Sequence, residues 1–334
     1  MRVMVLEHPA AHGPPPLVAR DLDDLRAGPG ELVLDVVACA ACRTDLQLVR
    51  GDLASHRLPV IPGHQVVGRV AQVGNGVEDW SVGDSAGAFW LASSCDTCDA
   101  CRAGRENLCP EARFTGWDVD GGYATRMTVR ADFAVRLPDG DPEDVAPLLC
   151  GGVIGYRALH RSGIQPGGRL GLYGFGASAS LAIQVARHWG CEVYVATRAE
   201  RDRERALEMG ASWAGGSTER PPVPLDAAVT FAPVGSVVIA ALQALDRGGT
   251  VAINAIHLDQ IPAFNYDDLW WERSITSVAN VTRQDAREFL ALAAEIGIRT
   301  NPIPYPLGDA ARALGDLETG IIGAGAAVLR PTET

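Results

Sequence analysis

A strand, a glycine turn and an apolar helix follow one another directly in the middle of the chain, and few folds accommodate that order. The predicted strand Arg169–Tyr173 runs into a G-x-G-x-x-A motif at residues 174–179, which opens a helix that ends at Gly190. The glycines permit a tight turn and let the backbone approach a pyrophosphate at the amino end of the helix. This context predicts a dinucleotide site rather than a plain glycine turn. The fixed positions of the motif are Gly174, Gly176 and Ala179; Ala177, which follows the second glycine, is predicted with them to bind the cofactor.

Strands and helices alternate through the rest of this region. Strands are predicted at residues 192–197, 227–231 and 250–255, and helices at 177–189, 199–209 and 237–245. Such alternation predicts parallel βαβ units. Farther on, Thr282 with Asp285 is typical of a helix N-cap, and this helix is predicted to end at Gly297. The Pro-rich residues 301–306 then lead into a last short helix and strand.

The first part of the chain, to about residue 150, has a different pattern. Short alternating apolar runs are broken by Gly and Pro, as at residues 31–37 and 66–73. This spacing predicts an antiparallel β domain.

The end of the second predicted strand of the parallel region bears on the choice of cofactor. An NAD site places Asp or Glu there, on the ribose 2′-hydroxyl. This chain has Thr197 and Arg198 instead, with Arg201 and Arg203 nearby. Without a carboxylate a 2′-phosphate is not repelled, and guanidinium groups suit phosphate. We therefore expect NADP(H) to be favoured over NAD(H); the alternative is that these arginines form a solvated helix face.

Four cysteines lie within fifteen positions in the spacing C-x2-C-x2-C-x7-C. Four thiolates from one loop suit a closed tetrahedral zinc site, which is structural because no position is open to substrate. The alternatives are unrelated buried cysteines and an iron–sulfur cluster. The predicted ligands are Cys95, Cys98, Cys101 and Cys109.

A second metal site is predicted from Cys42, His64 and Cys150. Each lies where a predicted strand gives way to a glycine-rich or polar turn. Two thiolates and one imidazole leave a fourth zinc position open, which is the coordination of a catalytic zinc. Taken singly, each could instead be a core thiol or a core histidine.

Composition restricts partners and location. The formal net charge is −12, and all 29 basic residues are Arg. This charge disfavours nucleic acid and anionic membranes as partners. We find no apolar run of about 18 residues and no secretory signal, and we expect a cytosolic protein. In the cytosol, clustered cysteines are more often metal ligands than disulfides.

Taken together, these motifs resemble the zinc-dependent alcohol dehydrogenases of the medium-chain dehydrogenase/reductase superfamily over nearly the whole chain. The residues that carry the resemblance are Gly63-His64, the four-cysteine segment with residues 104–110, residues 120–124, and Cys150 followed by residues 155–159. It implies an α/β protein with a GroES-like β-rich catalytic domain at 1–151 and 282–334, including a structural zinc lobe at about 92–112. A Rossmann dinucleotide-binding domain with a doubly wound parallel sheet would occupy 152–281. The resemblance also implies an active site between the domains and a homodimer or homotetramer.

The same resemblance implies roles for individual residues. It assigns the three-ligand set to a catalytic zinc and the four-cysteine set to a structural zinc. Thr44 would hydrogen-bond the substrate oxygen, and Arg43 would meet the cofactor pyrophosphate. Asp45 would accept the ring N–H of His64. Trp90 resembles the aromatic wall that narrows the substrate pocket in members acting on small or aromatic alcohols.

Two positions depart from the family pattern. Gln47 stands where many members have a histidine that passes the alcohol proton to solvent, and an amide cannot titrate near neutral pH. The proton must then pass through Thr44, the cofactor ribose and water, or through another group such as His56, which is otherwise an ordinary surface histidine. Gln65 replaces the glutamate of the usual Gly-His-Glu pattern and removes a negative charge near the metal. We predict a more electrophilic zinc, slower ligand exchange and a preference for carbonyl reduction.

The sequence thus predicts an enzyme that interconverts small-molecule alcohols and aldehydes or ketones by hydride transfer with NAD(P)(H), with zinc polarising the substrate oxygen. One alternative is a reductase of a conjugated C=C or iminium carbon. Another is a catalytically retired dinucleotide-binding protein that acts as a redox sensor.

Overall fold

The computed structural model describes residues 1–331, which divide into two compact units. The β-rich unit comprises Met1–Cys150, Asn280–Ala294 and the described part of Arg299–Thr334. The parallel-sheet unit comprises Gly151–Ala279 and Glu295–Ile298. The chain therefore leaves the β-rich unit after Cys150 and returns to it near its end.

Short strands dominate the first 150 residues. They are β1 (Arg2–Leu6), β2 (Leu17–Asp21), β3 (Glu31–Ala40), β4 (Gln65–Val73), β5 (Ser85–Ala88), β6 (Leu91–Ser93), β7 (Arg113–Phe114), β8 (Arg126–Arg130) and β9 (Val135–Arg136). The helices are α1 (Arg43–Arg50), α2 (Asp99–Arg102) and α3 (Pro142–Val145), with 3₁₀ turns at Glu106–Leu108 and Ala146–Leu149.

Strand β3 organises the sheet of the β-rich unit. It pairs antiparallel with β4 and β8, and β4 continues the sheet through β5 to β9. Leu32, Val33 and Leu34 of β3 are fully buried, because both faces of the strand are covered at this point. Asp35 is the exposed exception and pairs with Arg126 of β8 at 2.7 Å. The antiparallel β domain expected from the alternating apolar runs is confirmed.

The parallel-sheet unit alternates strands and helices. Its strands are β10 (Arg169–Tyr173), β11 (Glu192–Ala196), β12 (Trp213–Gly215), β13 (Leu225–Thr230), β14 (Leu245–Ile253) and β15 (Ser274–Ser277). Its helices are α4 (Gly151–Ser162), α5 (Ala177–His188), α6 (Glu200–Glu208), α7 (Gly235–Ala244) and α8 (Tyr266–Leu269).

All neighbouring strands of this sheet are parallel, in the order β12-β11-β10-β13-β14-β15. The order reverses direction at β10, so a crevice for a ligand is expected where the carboxyl ends of β10 and β13 lie side by side. The predicted doubly wound Rossmann sheet is confirmed.

The last part of the chain returns to the β-rich unit, apart from Glu295–Ile298. Its elements are α9 (Arg283–Ile296), β16 (Pro302–Pro306), a 3₁₀ turn at Leu307–Asp309, α10 (Ala310–Thr319) and β17 (Ala326–Arg330). Strand β17 pairs antiparallel with β3, and β16 lies parallel to β17 at the sheet edge. The Pro-rich residues 301–306, expected only as a connection, thus form a strand. An edge strand tolerates proline because one of its sides needs no N–H donors.

Helix α9 starts where the sequence predicted. The Thr282 hydroxyl donates to Asp285 Oδ2 at 2.7 Å, and the backbone N–H of Asp285 donates back to Thr282 Oγ1 at 3.1 Å. The helix ends before Gly297, which has a φ of +65°. Within residues 1–331 we find no helix long and apolar enough to cross a membrane.

Arg283, at the start of α9, anchors the cysteine-rich lobe that lies between β6 and β7. Its backbone N–H and Nε donate to the buried Glu106 Oε1 at 2.9 and 3.3 Å. Its Nη2 donates to Asp96 Oδ1 at 3.2 Å, and Arg130 donates to the other oxygen of Asp96 at 3.0 Å. Both guanidinium groups lie over the Phe133 ring. A lobe too small to have its own core is therefore held by an ion-pair network.

Candidate active site

Cys42 lies at the junction of β3 and α1. Its backbone N–H donates to Asp45 Oδ2 at 2.8 Å, as in a capping box, which fixes the start of the helix and the direction of the Cys42 side chain. Cys42 Sγ lies 3.9 Å from Sγ of Cys150, which directly follows the 3₁₀ turn Ala146–Leu149. The two thiols, 108 positions apart in sequence, are therefore neighbours.

His64 lies at a tight turn that leads into β4. Gly63 has a φ of +95°, and a Cβ at that position would lie 2.3 Å from the Tyr123 ring, so the turn requires glycine. His64 is fully buried, and its Nδ1 lies 3.1 Å from Asp45 Oδ1. Its Nε2 is buried and has no hydrogen-bond partner among the described residues.

Asp45 connects the parts of this cluster. Oδ1 accepts from the backbone N–H of Gly63 at 3.2 Å as well as from the His64 ring, and Oδ2 also accepts from the Tyr123 hydroxyl at 3.3 Å. The carboxylate is 2% exposed. Because both oxygens are satisfied, the charge can be buried, and the ring of His64 is held with Nε2 directed away from Asp45.

The buried charges shift the titration of the cluster. Burial opposes protonation of His64, but the charge of Asp45 and its hydrogen bond prevail and raise the pKa of the imidazole to about 10. The hydrogen bond shared by the two thiols lowers the pKa of Cys42 and raises that of Cys150. Metal ligands must be deprotonated, so metal binding here would release protons.

The donor atoms of Cys42, His64 and Cys150 all lie within 4.8 Å of one another. Two sulfurs and one imidazole nitrogen are a donor set that zinc accepts, with a fourth position left open. The unpartnered His64 Nε2 is the ring nitrogen available to such an ion, since Nδ1 is bonded to Asp45. The residues therefore fit the metal that the sequence predicted.

The four-cysteine set also converges, with its sulfur atoms within 4.8 Å of one another. Sγ of Cys98 lies 3.5 Å from that of Cys101, and Sγ of Cys109 lies 3.5 Å from that of Cys95. Backbone N–H groups point at the sulfurs, and hydrogen bonding from Thr97 lowers the pKa of Cys95 to about 6. The surroundings of Cys95 favour its thiolate, whereas burial raises the pKa of Cys109 to about 11, so that metal binding would have to displace a proton there. Four converging sulfurs are a donor set that suits zinc.

An aromatic wall, defined as Trp90, Phe114 and Trp117, begins at the three-ligand set. The Trp90 ring stands edge-on to His64, with centroids 4.7 Å apart. It stacks against Phe114 at 5.4 Å and Trp117 at 5.7 Å. The sequence pointed to Trp90 but missed the other two. The available signal was a pair of aromatic residues on either side of Gly116, just before the Asp-Gly-Gly segment at 120–122.

The remaining predicted residues of the β-rich unit have distinct surroundings. Thr44 Oγ1 lies 3.7 Å from Cys42 Sγ, and Arg43 is exposed at the start of α1. Gln47 is half-buried in α1. Gln65 is 4% exposed, and its Nε2 donates to the Ala40 carbonyl at 3.0 Å, across the β3–β4 pair. The amide of Gln65 thus fills a donor role that a carboxylate could not.

The glycine motif of the parallel-sheet unit forms the turn between β10 and α5. Gly174 has a φ of +89°, and a Cβ there would lie 2.9 Å from the backbone nitrogen of Ala232. Gly176 is the N-cap of α5 and has open space where a Cβ would stand, and Ala177 follows it. Ala179 is fully buried on the inner side of the helix. The turn therefore presents backbone N–H groups as a phosphate site requires.

The turn after β11 is braced by an arginine. Thr197 is buried, and Arg198 is exposed. Arg203, one helical turn along α6, donates to the carbonyls of Thr197 at 3.2 Å and Arg198 at 3.0 Å. Arg203 is thus engaged with the backbone, whereas Arg198 presents its guanidinium to solvent.

The parallel-sheet unit has a doubly wound sheet and a glycine turn suited to phosphate. The β-rich unit carries the three-ligand set, which leaves one metal position open, and the four-cysteine set, which leaves none. Together these features define a zinc-binding, dinucleotide-dependent dehydrogenase. Comparison with known families agrees with this class. Residues 28–139 match the alcohol dehydrogenase GroES-like domain, and residues 179–295 match the zinc-binding dehydrogenase domain.

Individual proteins show the same likeness. The chain is 54% identical over 311 residues to "Probable alcohol dehydrogenase AdhA" of Mycobacterium tuberculosis, covering 91% of this chain and 90% of that protein. It is 35% identical to an alcohol dehydrogenase of Geobacillus stearothermophilus, covering 81% and 83%. A cobalt- and zinc-bound thermostable alcohol dehydrogenase from Pyrobaculum aerophilum superposes with a TM-score of 0.88 at 25% identity, covering 99% of each chain. The chain belongs to the zinc-dependent alcohol dehydrogenase family of the medium-chain dehydrogenase/reductase superfamily.

Proposed function

We propose that this chain interconverts small-molecule alcohols and the corresponding aldehydes or ketones by hydride transfer with a nicotinamide cofactor. The observation that carries the proposal is the convergence of Cys42, His64 and Cys150 within 4.8 Å, with His64 Nε2 buried and unpartnered. Membership of the family supports it.

These three residues would hold the catalytic zinc, with thiolates from the cysteines and Nε2 from His64. When bound, zinc supplies a Lewis acid for the substrate oxygen. In the neutral ring that a metal requires, Asp45 would hold the remaining proton on Nδ1 and leave the Nε2 lone pair to the ion. The four-cysteine set would hold a second zinc, with a structural role, which makes two zinc ions per chain.

Thr44 would handle the proton. Its hydroxyl lies beside Cys42 and can both donate to and accept from a substrate oxygen. Gln47 lies on the same helix but cannot titrate, so the proton passes from Thr44 to water rather than along the helix. The aromatic ring of Trp90, edge-on to His64, would narrow the space for the substrate carbon.

The second unit would bind the cofactor, with NADP(H) favoured over NAD(H). Arg198 supports this preference because it is exposed at the carboxyl end of β11 with no carboxylate in the turn. Arg43 would add a cation for the pyrophosphate. Arg198→Ala should raise the KM for NADPH more than that for NADH, whereas Arg220→Ala, another exposed arginine of the same unit, should change neither. An equal change for both cofactors in Arg198→Ala would contradict this role.

We also propose the domain boundaries expected from the sequence, which are a catalytic domain at 1–151 and 282–334 and a cofactor-binding domain at 152–281. Homodimeric or homotetrameric assembly and a cytosolic location stay predictions. No structural observation favours either alternative function over alcohol dehydrogenation.

The test of the proposed function is a cofactor-oxidation assay. NADPH and NADH are each offered with saturated aldehydes, enals and cyclic imines, and the zinc content is measured on the same sample. We expect saturated aldehydes to be reduced to alcohols. Reduction confined to the C=C bond of enals or to imines would replace the proposal with the reductase alternative. Cofactor binding without any turnover would indicate a retired enzyme.

A further inference from the structure

A long connection follows β14 at the carboxyl edge of the parallel sheet. Residues 254–265, all of which the structure describes, form neither helix nor strand. The connection starts beside β13, because the backbone N–H of Asn254 donates to the Thr230 carbonyl at 2.9 Å. Long loops within a compact unit are often functional. The carboxyl edge is also where a doubly wound sheet binds its ligand, so the connection borders the expected cofactor crevice.

The connection has few anchors of its own. Leu258 and Ile261 are half-buried and pack against the apolar core that α7 forms with the strands. Ile256, His257 and Gln260 are exposed. A segment with so little buried apolar surface opens easily, so its order depends strongly on the polar contacts that hold it.

Asp259 joins the connection to the start of α7. Its Oδ1 accepts a hydrogen bond from the backbone N–H of Gly235, the first residue of that helix. The N-cap residue itself is Val234, whose side chain has no oxygen to accept from the helix. Asp259, 24 positions away in sequence, therefore does what a capping side chain does in other helices.

Gly235 lets the connection approach the helix closely. A Cβ at this position would clash with the Gln260 carbonyl oxygen and would lie 2.8 Å from Ile261 Cα. The backbone of the connection thus lies directly on the start of α7, and any larger residue at 235 would push the two segments apart.

The start of α7 is in turn linked to the glycine turn. Ala232 lies in the turn from β13 to α7, and its backbone N–H donates to the carbonyl of Tyr173, the last residue of β10, at 3.2 Å. The backbone of Ala232 also fills the space in which Gly174 would need a Cβ. Contacts therefore run without a break from Asp259 through the start of α7 to the turn that would hold the cofactor phosphates.

We propose that Asp259 is a positioning residue for cofactor binding. It holds residues 254–265 on the start of α7 and so keeps the β13 side of the crevice ordered before the dinucleotide arrives. Without this contact, binding would have to order the connection as well, and that cost would appear as weaker affinity. This inference rests on the proposed function, because it concerns the same cofactor site. It serves NADPH and NADH alike, in contrast to Arg198.

The test measures cofactor binding by the zinc-loaded chain without aldehyde, with nicotinamide fluorescence as the signal. Asp259→Ala should raise the Kd for NADPH and that for NADH about fivefold each, as expected for the loss of one helix cap. Asp259→Asn keeps an acceptor oxygen for the Gly235 N–H and should bind within about twofold of wild type. Gly235→Ala should also raise both Kd values, because it displaces the connection while Asp259 is intact.

A matched control separates positioning from stability. Asn265 ends the same connection and caps α8 by accepting from the backbone N–H of Asp267 at 3.1 Å. Asn265→Ala loses the same kind of cap, so it should lower the melting temperature as Asp259→Ala does but leave both Kd values unchanged. Amide hydrogen exchange of residues 231–235 in the free chain is a second readout, which Asp259→Ala should accelerate and Asn265→Ala should not.

The outcomes separate this inference from the proposed function. Wild-type Kd values in Asp259→Ala and Gly235→Ala, or an equal rise in Asn265→Ala, would contradict the positioning role, and the proposed function would stand. If the variants bind as predicted but wild type reduces no aldehyde, the positioning role stands and the proposed function fails. If wild type binds neither cofactor, both fail.

Discussion

Asp45 Oδ1 lies 3.1 Å from Nδ1 of His64, and the two side chains are 2% and 0% exposed. A carboxylate in this position keeps a proton on Nδ1, so Nε2 is the nitrogen that gives up its proton and offers a lone pair when the ring is neutral. The pair therefore prepares a buried nitrogen to act as a ligand beside two thiols. The same carboxylate caps α1, so the helix that begins at Cys42 and the imidazole ligand are set by one group.

Asp45→Asn should weaken zinc binding at the three-ligand set by about 10–100-fold, measured by competition with a chelator. An amide has one acceptor oxygen, so it cannot satisfy the donors that meet both oxygens of Asp45. Asp35→Asn is the control, because Asp35 is an exposed carboxylate of the same unit in an ion pair with Arg126. Equal zinc affinity in wild type and Asp45→Asn would show that the carboxylate does not orient His64.

Thr44→Val should lower kcat by about 10²–10⁴-fold while leaving the zinc content unchanged, because the hydroxyl next to Cys42 is lost but the volume is kept. Thr44→Ser keeps the hydroxyl and should retain most of the activity. The measurement is steady-state aldehyde reduction with zinc analysis of each variant. If Thr44→Val turned over as fast as Thr44→Ser, proton handling would have to be assigned to another group.

Gln65→Glu should have two effects. Loss of the donor to the Ala40 carbonyl should cost about 1–3 kcal/mol of stability. The added negative charge beside His64 should raise the ratio of alcohol oxidation to carbonyl reduction. Gln72→Glu is a matched control in the same strand, since Gln72 also donates to a backbone carbonyl, that of Leu25.

The control isolates the electrostatic effect at the metal. Gln72→Glu should be destabilised without a change in the ratio of the two directions, because Gln72 is not part of the ligand cluster. The idea that Gln65 tunes the direction of the reaction is wrong if Gln65→Glu leaves both rates as in wild type.

Arg283→Ala should destabilise the cysteine-rich lobe by about 2–3 kcal/mol, because the buried carboxylate of Glu106 loses its charged side-chain donor and keeps only the backbone N–H of residue 283. Chelators should then remove zinc from the four-cysteine set faster. Arg20→Ala, which breaks an exposed ion pair with Glu7, should have little effect on either property. Urea unfolding and zinc-release rates measure the two effects; identical behaviour of both variants would contradict the anchoring role of Arg283.

Much of the fold was predictable because its signals are local. The strand, the G-x-G turn and the helix at Arg169–His188 are adjacent in sequence, and the cap at Thr282 spans only one helical turn. Helix α4 was missed because it opens with Gly151-Gly152, which favour a turn, and is stabilised instead by burial of residues such as Val153 and Leu159. Strands β12 and β15 are too short to show a periodic pattern.

The candidate site likewise has residues that the sequence predicted and residues that it missed. Cys42 and His64 are next to strand ends, where turn residues mark them, and the family resemblance joins them to Cys150. The contacts of Trp117 with Trp90 and His56 join side chains from three separate loops. Sequence periodicity cannot predict contacts of this kind. The partner of the Gln65 amide was hidden too, because it is a backbone carbonyl in the neighbouring strand.

The central claim is that Cys42, His64 and Cys150 hold the zinc on which the reaction depends, separately from the four-cysteine set. The most direct measurement is the zinc content per chain of wild type and Cys150→Ser, with aldehyde reduction assayed on the same samples. We predict two zinc ions in wild type and one in Cys150→Ser, with the loss of aldehyde reduction in the variant. Cys150→Ser that kept both ions, or that reduced aldehydes at the wild-type rate, would contradict the account.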